Sequence, residues 1–358
     1  MNTVKDLISL RLQNQQISST AFKKPEEIVS WMLAMQSQEY AMAKWAIGLR
    51  LPDSTDNLVE QAFNEGKILR THLMRPTWHF VTPEDIRWLV ALTAPRVQAF
   101  NAFMYRKTEL DSKILNSCND LLIRNLENRR YRTRNELKEK LSTITNVTDG
   151  MRLAYIVMNA ELQNLICSGP RRGKQFTYAL TDERAPSAPP LTNDEALFQL
   201  CRRYFSSRGP ATVHDLSWWS GLSITDCKKG IASLDKTFIT ETIEGKSYVF
   251  SSNEIVSSSL TKRTFLLPDY DEYGISYKDR SVLSSNSTVD NHPATSTFFH
   301  IIVIDGLMGG WWKQNDNGKV ISMKLPYLDK LSQLKKKAVL RAAKAYTDFF
   351  GRRLQLTE

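Results

Sequence analysis

One pattern recurs three times along this 358-residue chain: a helix, a turn, a second helix and then a short β-hairpin. It is clearest in residues 194–252. Thr212 followed by Asp215 is typical of a helix N-cap with an acidic residue at its third position, and Gly221 is expected to end that helix. Two alternating segments then flank Glu244-Gly245, a dipeptide typical of a hairpin turn. This order predicts a winged helix.

The same order divides the rest of the chain. A first winged helix is predicted over residues 1–105, a second over 106–184 and the third over 192–255. Thr133 and Glu136 form a capping-box pattern inside the second copy. Residues 262–358 change character and predict a β-rich domain, with a small barrel as one form, closed by a terminal helix. The fold class is therefore expected to be α+β, with three tandem winged-helix motifs and a C-terminal β-rich domain.

Composition excludes several classes of protein. A hydrophobic content of 42% is that of a folded domain, and no apolar stretch reaches the roughly 18–20 residues that span a bilayer. Asp6 and Arg11 interrupt what would be the apolar core of a signal peptide. The four cysteines are dispersed, and no zinc, P-loop or dinucleotide motif is present. We therefore expect a cytoplasmic protein with no metal, no cofactor and no membrane partner.

The positive charge is concentrated in two places. The net charge is +10, from 48 basic and 38 acidic residues, and residues 101–190 contribute 15 basic against 10 acidic. Residues 263–358 hold 14 against 10. The predicted wing of the second copy turns at Gly169-Pro-Arg-Arg-Gly-Lys174, so that Arg171, Arg172 and Lys174 are expected to contact a polyanion backbone. A charged solvent-exposed turn is the alternative interpretation.

Two glutamines, Gln36 and Gln38, follow an apolar helical stripe. In a helix, residues two apart diverge by about 200°, so the two carboxamides can converge on one ligand only if the backbone leaves the helix near Ser37. A turn between the first two helices of the first copy would allow this. A plain polar turn is the simpler interpretation of these residues taken alone.

The predicted hairpin of the first copy carries a cation, an imidazole and aromatic rings. Strand alternation puts Thr77, His79 and Val81 on one face, and Trp78 and Phe80 on the other. A histidine beside aromatic residues could contact phosphate or fill space in a duplex, and a buried core histidine fits equally well. The candidate DNA-binding residues here are Arg75, Thr77, His79 and Phe80.

A cluster of carboxylates lies further along the chain, at Asp271 and Glu272, next to Tyr273. It could perform acid–base chemistry or bind a metal. Lys278 and Arg280 nearby offer ordinary ion pairing, and we prefer this structural interpretation. Asp271, Glu272, Tyr273 and Arg280 are therefore kept as possible, not primary, site residues.

Three motifs together resemble one family. QSQ at 36–38, LMRPTWHFV at 73–81 and LLPDYDEYGISYKDR at 266–280 resemble the AlkZ/YcaQ family of winged-helix DNA glycosylases, and Val303-Ile-Asp-Gly306 with Gly310-Trp311-Trp312 resembles its C-terminal signature. The resemblance covers nearly the whole chain. It implies three winged helices in a C-shape, removal of N7-alkylated guanine, and unhooking of interstrand crosslinks without a cofactor.

The resemblance also assigns residues. It implies that Gln36 and Gln38 are the catalytic Gln-x-Gln motif, and that His79 and Phe80 form the family's His-plus-hydrophobic element. Pro76 and Trp78 depart from the usual residues, which puts the shape of this hairpin in question. The expected partner is double-stranded DNA with an alkylated guanine, bound by a monomer in the cytoplasm on a bacterial-type nucleoid. A non-catalytic DNA-binding regulator and a protein-interaction scaffold are the competing hypotheses.

Overall fold

The computed structural model describes residues 3–147, 150–252, 263–283, 300–326 and 328–357. The chain begins with helix α1 (Val4–Asn14), which Thr3 caps and Asp6 completes as a capping box. The first repeat follows it. It contains α2 (Pro25–Met32), β1 (Met35–Gln36), α3 (Tyr40–Arg50), α4 (Asp56–Glu65), β2 (Leu69–Leu73) and β3 (Thr77–Val81).

The sheet of the first repeat has the order β1-β3-β2, so β3 is its central strand. Because a central strand is covered by neighbours along both edges and by packing on its faces, His79, Phe80 and Val81 are all buried. Consecutive residues point to opposite faces of a strand, so both faces of β3 are covered at this end. The structure thus favours the buried-histidine interpretation of His79.

The long helix α5 (Pro83–Lys107) leads into the second repeat. This repeat has the same order of elements as the first. It contains α6 (Ser112–Leu126), β4 (Arg132–Thr133), α7 (Arg134–Leu141), α8 (Gly150–Leu162), β5 (Ile166–Ser168) and β6 (Thr177–Leu180). The sheet order is β4-β6-β5, which again places the last strand in the middle. Thr133 and Glu136 form the predicted capping box of α7.

A short helix α9 (Thr181–Arg184) and a proline-rich segment connect to the third repeat. That repeat contains α10 (Asn193–Arg208), α11 (Val213–Ser220), α12 (Ile224–Ala232), β7 (Phe238–Ile243) and β8 (Lys246–Ser251). Thr212 and Asp215 cap α11, and Gly221 ends it at φ 74°, as the sequence predicted. Glu244 and Gly245 both have positive φ, the conformation that a tight hairpin turn requires.

The C-terminal part consists of short strands and one long helix. It contains β9 (Thr264–Leu266), α13 (Glu272–Ile275), β10 (Ile301–Ile304), β11 (Leu307–Trp311), β12 (Lys313–Asp316), β13 (Val320–Lys324), α14 (Gln333–Phe349) and β14 (Arg353–Thr357). In the part of the chain that is described, these strands form two separate three-stranded sheets, β11-β10-β9 and β12-β13-β14, in place of the suggested barrel. The domain boundaries predicted at 255 and 262 lie outside the described residues.

The first repeat packs against every other part of the chain. Trp45 on α3 donates its indole N–H to the carbonyl of Leu266 and packs edge-on against Tyr346 of α14. On its other side, hairpin β2–β3 shares a hydrophobic core with α10 and α11 of the third repeat. The prediction of a mixed α+β fold is confirmed.

Candidate active site

The two glutamines lie on an extended segment that begins where α2 ends. Helix α2 stops at Met32, and Leu33 has a positive φ of 62° that turns the chain away from the helix axis. Gln36 then pairs with His79 of β3. Strand β1 ends at Gln36, and the chain bends at Gln38 before α3 begins at Tyr40. The helix therefore ends before either glutamine, so helical geometry does not force the two carboxamides apart.

Three contacts fix the backbone between the two glutamines. The amide of Ser37 donates to the carbonyl of Trp78 at 2.7 Å. The guanidinium of Arg70 donates to the carbonyl of Ser37, with Nη2 at 3.0 Å and Nε at 3.2 Å. The amide of Gln36 donates to the carboxylate of Glu272 at 2.9 Å. The backbone of the segment is thus held from two strands of the first repeat and from the C-terminal part of the chain.

The carboxamides themselves are not used by the fold. Gln36 is 9% exposed, and Gln38 lies on the surface. Within the ranges that the structure describes, neither side chain makes a hydrogen bond to protein. Side-chain amides with a fixed backbone and free hydrogen-bonding groups are suited to bind and orient a water or a ligand.

His79 is the cross-strand neighbour of Gln36. It is 2% exposed, and burial lowers the pKa of its imidazole to about 4. Nδ1 lies 3.0 Å from the carbonyl of Thr77, which can only accept a hydrogen bond. Nδ1 therefore carries the proton, and Nε2 of the neutral ring is left as an acceptor. His79 adds a neutral hydrogen-bonding group to the site and no charge.

Glu272 lies beneath the glutamine segment as part of a buried ion pair. Its carboxylate accepts from Arg208 at 2.8 Å, from the indole of Trp219 at 3.0 Å and from the hydroxyl of Ser276 at 2.7 Å. Burial alone would raise the pKa of Glu272, but the charge of Arg208 and these donors keep it below its usual value. Glu272 is only 1% exposed. A buried, fully paired carboxylate of this kind can position the backbone but cannot exchange protons with a substrate.

The other two members of the carboxylate cluster also serve the fold. Asp271 receives two hydrogen bonds from Arg50, at 2.8 and 2.9 Å, and caps α13 through the amide of Tyr273. The hydroxyl of Tyr273 donates to the carbonyl of Gly306 at 2.9 Å. The expectation that Lys278 and Arg280 pair with Asp271 and Glu272 was wrong. The arginines that pair with the two carboxylates come from α3 and α10, more than 60 residues away in sequence.

Arg75 and Arg280 come together at the turn of the first hairpin. Their guanidinium carbons lie 4.9 and 5.7 Å from the ring centre of Trp218, which is 40% exposed. Burial lowers the pKa of Arg280 to about 10, and the neighbouring charge of Arg75 contributes to this shift. Both side chains therefore remain charged at neutral pH and form a basic patch between the first and third repeats.

The remaining hairpin residues are less accessible. Phe80 has no exposed surface and packs against the rings of Tyr40 and Phe63, with centroids 5.7 and 6.1 Å away. Thr77 turns its hydroxyl back to the carbonyl of Arg75. We therefore leave Phe80 out of the surface that we propose for DNA.

The wing of the second repeat presents its three cations unequally. Arg171 folds back over the ring of Tyr40, 4.8 Å from its centre, and its amide donates to the side chain of Asn64. Arg172 forms a 2.9 Å ion pair with Glu136. Lys174 is exposed. Arg172 is exposed as well, but of the three cations that the sequence singled out, Lys174 alone has no ion pair among the described residues.

Sequence reasoning missed three buried residues that hold the site. Arg70, Arg208 and Trp219 act on the glutamine segment directly or through Glu272. A buried arginine inside a strand is a local signal that could have drawn attention to Arg70. No local pattern distinguishes the other two, because their partner is distant in sequence.

Among the described residues, no helix is long and apolar enough to cross a membrane.

The geometry brings two carboxamides and an uncharged imidazole together on a backbone held at three points, inside a basic mixed α+β protein. The model of the family "DNA glycosylase AlkZ-like" matches residues 29–349. The chain therefore belongs to the AlkZ-like DNA glycosylase family. Both the predicted resemblance and the predicted class of enzyme, a DNA glycosylase, are confirmed.

A sequence comparison and a structure comparison are consistent with this assignment. An interstrand DNA cross-link repair glycosylase of Streptomyces sahachiroi is 21% identical over 341 residues, covering 89% of this chain and 90% of the relative. The solved structure of the Streptomyces sahachiroi DNA glycosylase AlkZ matches with a TM-score of 0.81 at 20% identity, covering 100% of both chains. At this identity, the structural match shows that the two proteins share a fold.

Proposed function

We propose that this enzyme hydrolyses the N-glycosidic bond of N7-alkylated guanine in double-stranded DNA. The observation that carries the proposal is the glutamine segment itself, whose backbone is held at three points while both carboxamides stay free. Alkylation at N7 makes guanine a cation and a good leaving group. A site without a charged acid or base is therefore sufficient for this reaction.

In the proposed mechanism, the glutamines act by orientation and electrostatics. A carboxamide has no useful pKa, so neither Gln36 nor Gln38 can serve as an ordinary general base. Their carbonyl oxygens can accept hydrogen bonds from a water and direct it at the anomeric carbon. The same oxygens stabilise the positive charge that grows on the sugar as the bond to the base breaks. Neutral bases such as uracil, which leave poorly, should not be excised.

We further propose that the three repeats are winged helices, over residues 1–105, 106–184 and 192–255, arranged as a C around the duplex. The first would hold the catalytic segment, while the basic second repeat and residues 262–358 would grip the DNA backbone. Arg75, Thr77, His79 and Arg280 border the catalytic segment, and Arg171, Arg172 and Lys174 belong to the second repeat. Such a channel could engage a crosslinked base that cannot rotate out of the stack, which would allow unhooking. Since one chain supplies every part of this site, we propose that the enzyme is a monomer. We propose that it acts in the cytoplasm, on the nucleoid.

The test is an excision assay on duplex DNA that contains N7-methylguanine. Gln36→Ala and Gln38→Ala should lose excision activity while keeping their affinity for the same duplex. Gln61→Ala is the matched control, because Gln61 is an exposed glutamine of the same repeat whose side chain bonds, within the described ranges, only to Glu65. Full activity in the double variant of Gln36 and Gln38 would refute the catalytic assignment.

A further inference from the structure

A cavity of about 360 Å³ lies between the first hairpin and the wing of the second repeat. Arg70 and Trp78 line it from the first repeat, and Arg134, Lys174 and Tyr178 line it from the second. Three of its lining residues are cations, and none is a carboxylate. The cavity is therefore a basic recess, and two of its lining residues, Arg70 and Trp78, also hold Ser37 of the glutamine segment.

Arg70 is the central residue of this recess. It is 6% exposed, and two of its nitrogens, Nε and Nη2, are used to hold the carbonyl of Ser37. Its third nitrogen, Nη1, has no hydrogen-bond partner, and its guanidinium has no ion-pair partner, among the residues that the structure describes. Burial lowers the pKa of Arg70 to about 10, so the group stays charged at neutral pH. The buried carboxylate of Glu161 supports this charge from nearby but forms its ion pair with His72, so a bound anion would be the first direct ionic partner of Arg70 among the described residues.

Aromatic rings determine how a ligand can approach this guanidinium. Its central carbon lies 4.1 Å from the ring centre of Trp78 and 4.7 Å from that of Phe176. Both rings lie within cation–π distance of the group, and two of its nitrogens already hold Ser37, so Nη1 is the nitrogen left for a ligand. An in-plane N–H edge is the geometry that an arginine presents to phosphate oxygens.

We propose that this recess binds one backbone phosphate of the lesion-bearing strand, and that Arg70 joins this phosphate to the catalytic segment. Arg70 would contact the phosphate with Nη1 while holding Ser37 with Nε and Nη2. Lys174 and Arg134 would neutralise the same phosphate from the mouth of the recess. The inference rests on the proposed function and deepens it, because it specifies how the lesion strand is placed relative to Gln36 and Gln38.

The experiment measures binding to duplexes in which single phosphates are replaced by uncharged methylphosphonates. The lesion is N7-methylguanine on a 2′-fluorinated sugar, which resists hydrolysis and keeps the substrate intact. For the wild-type protein, one position near the lesion should weaken binding by about tenfold or more, the effect of losing a charge-assisted contact. In Lys174→Ala and in Arg134→Gln, the same replacement should cost clearly less, because part of the contact is already gone.

The control is Lys344→Ala. Lys344 is an exposed lysine of α14 that pairs with Asp348 on the same helix and does not line the recess. This variant should show the full wild-type effect at that position. Because Lys174 is exposed, its truncation tests the proposal without disturbing the buried Arg70. If every variant responds to each methylphosphonate as the wild type does, the inference is wrong.

A parallel excision assay separates this inference from the proposed function. If the wild type excises N7-methylguanine but no methylphosphonate effect is reduced in the Lys174 and Arg134 variants, only the phosphate-binding inference is wrong. If such a reduced effect is found but no excision occurs, the recess binds a phosphate and the proposed chemistry is wrong.

Discussion

The buried carboxylate of Glu272 gives the sharpest prediction, because it accepts a hydrogen bond from the backbone of a proposed catalytic residue. In Glu272→Gln, the new amide has one oxygen and one NH₂ group to share between Gln36 and Arg208. Arg208 is fully buried and has only hydrogen-bond donors, so it should attract the oxygen. The NH₂ group would then face the amide of Gln36, and that hydrogen bond would be lost.

The magnitude follows from the kind of bond. A hydrogen bond to a charged group contributes about 1.5–3 kcal/mol. If that energy holds Gln36 in its reactive position, the excision rate should fall about tenfold or more. Removing one charge of a buried ion pair should also destabilise the fold, by up to about 3–5 kcal/mol.

Asp271→Asn is the matched control for this prediction. Asp271 is equally buried and paired with Arg50, so its substitution should cost similar stability, but it does not touch Gln36. The assay is single-turnover excision of N7-methylguanine at a temperature where circular dichroism shows both variants to be folded. Equal excision rates in the two folded variants would refute the positioning role of Glu272.

Four further predictions concern charge and backbone conformation. Because burial holds the pKa of His79 near 4, excision should show no inflection between pH 5 and 8, and a step near pH 6.5 would contradict a neutral His79. In the unfolded chain, His79 is protonated near its usual pKa of about 6.5. The free energy of unfolding should therefore decrease as the pH is lowered from about 6.5 to 4. In urea titrations, the His79→Asn variant should show a smaller decrease over this range. Gly221→Ala should lower the free energy of unfolding by about 1–2 kcal/mol, because φ is 74° at that position. Gly150→Ala is the comparison and should not lower it, because that glycine has open space around it. Equal denaturation midpoints for the two variants would argue against this strain. Arg172→Gln should reduce the slope of log K for DNA binding against log salt concentration by about one. The melting temperature should stay unchanged, because the ion pair of Arg172 with Glu136 is exposed. An unaltered slope would show that Arg172 does not contact the DNA.

The local elements of this fold were predictable because their signals are local. The capping pairs Thr133–Glu136 and Thr212–Asp215 and the turn at Glu244-Gly245 are all found where the sequence placed them. Each depends on residues at most three positions apart, which a single sequence shows directly. The strands β12 and β14 were not predicted. Strand β12 has no apolar residue, and the alternation of Leu354 and Leu356 in β14 covers only five residues directly after a long helix.

The site was predictable only in part. Gln36 and Gln38 stand out through their spacing and through a family resemblance. Their supports could not be found, since the residues that hold the segment are separated from it in sequence and are recognised only once the chain is folded. The same holds for Glu272, whose neighbours in sequence suggested surface ion pairs and whose actual partner is Arg208.

The hydrogen bond between Gln36 and Glu272 joins residues that are 236 positions apart. During synthesis, the glutamine segment therefore leaves the ribosome long before the carboxylate that holds it. Until residue 272 has emerged and α10 has supplied Arg208, the segment lacks one of its three backbone anchors. The proposed catalytic arrangement is thus completed late in translation, after all three repeats have left the ribosome.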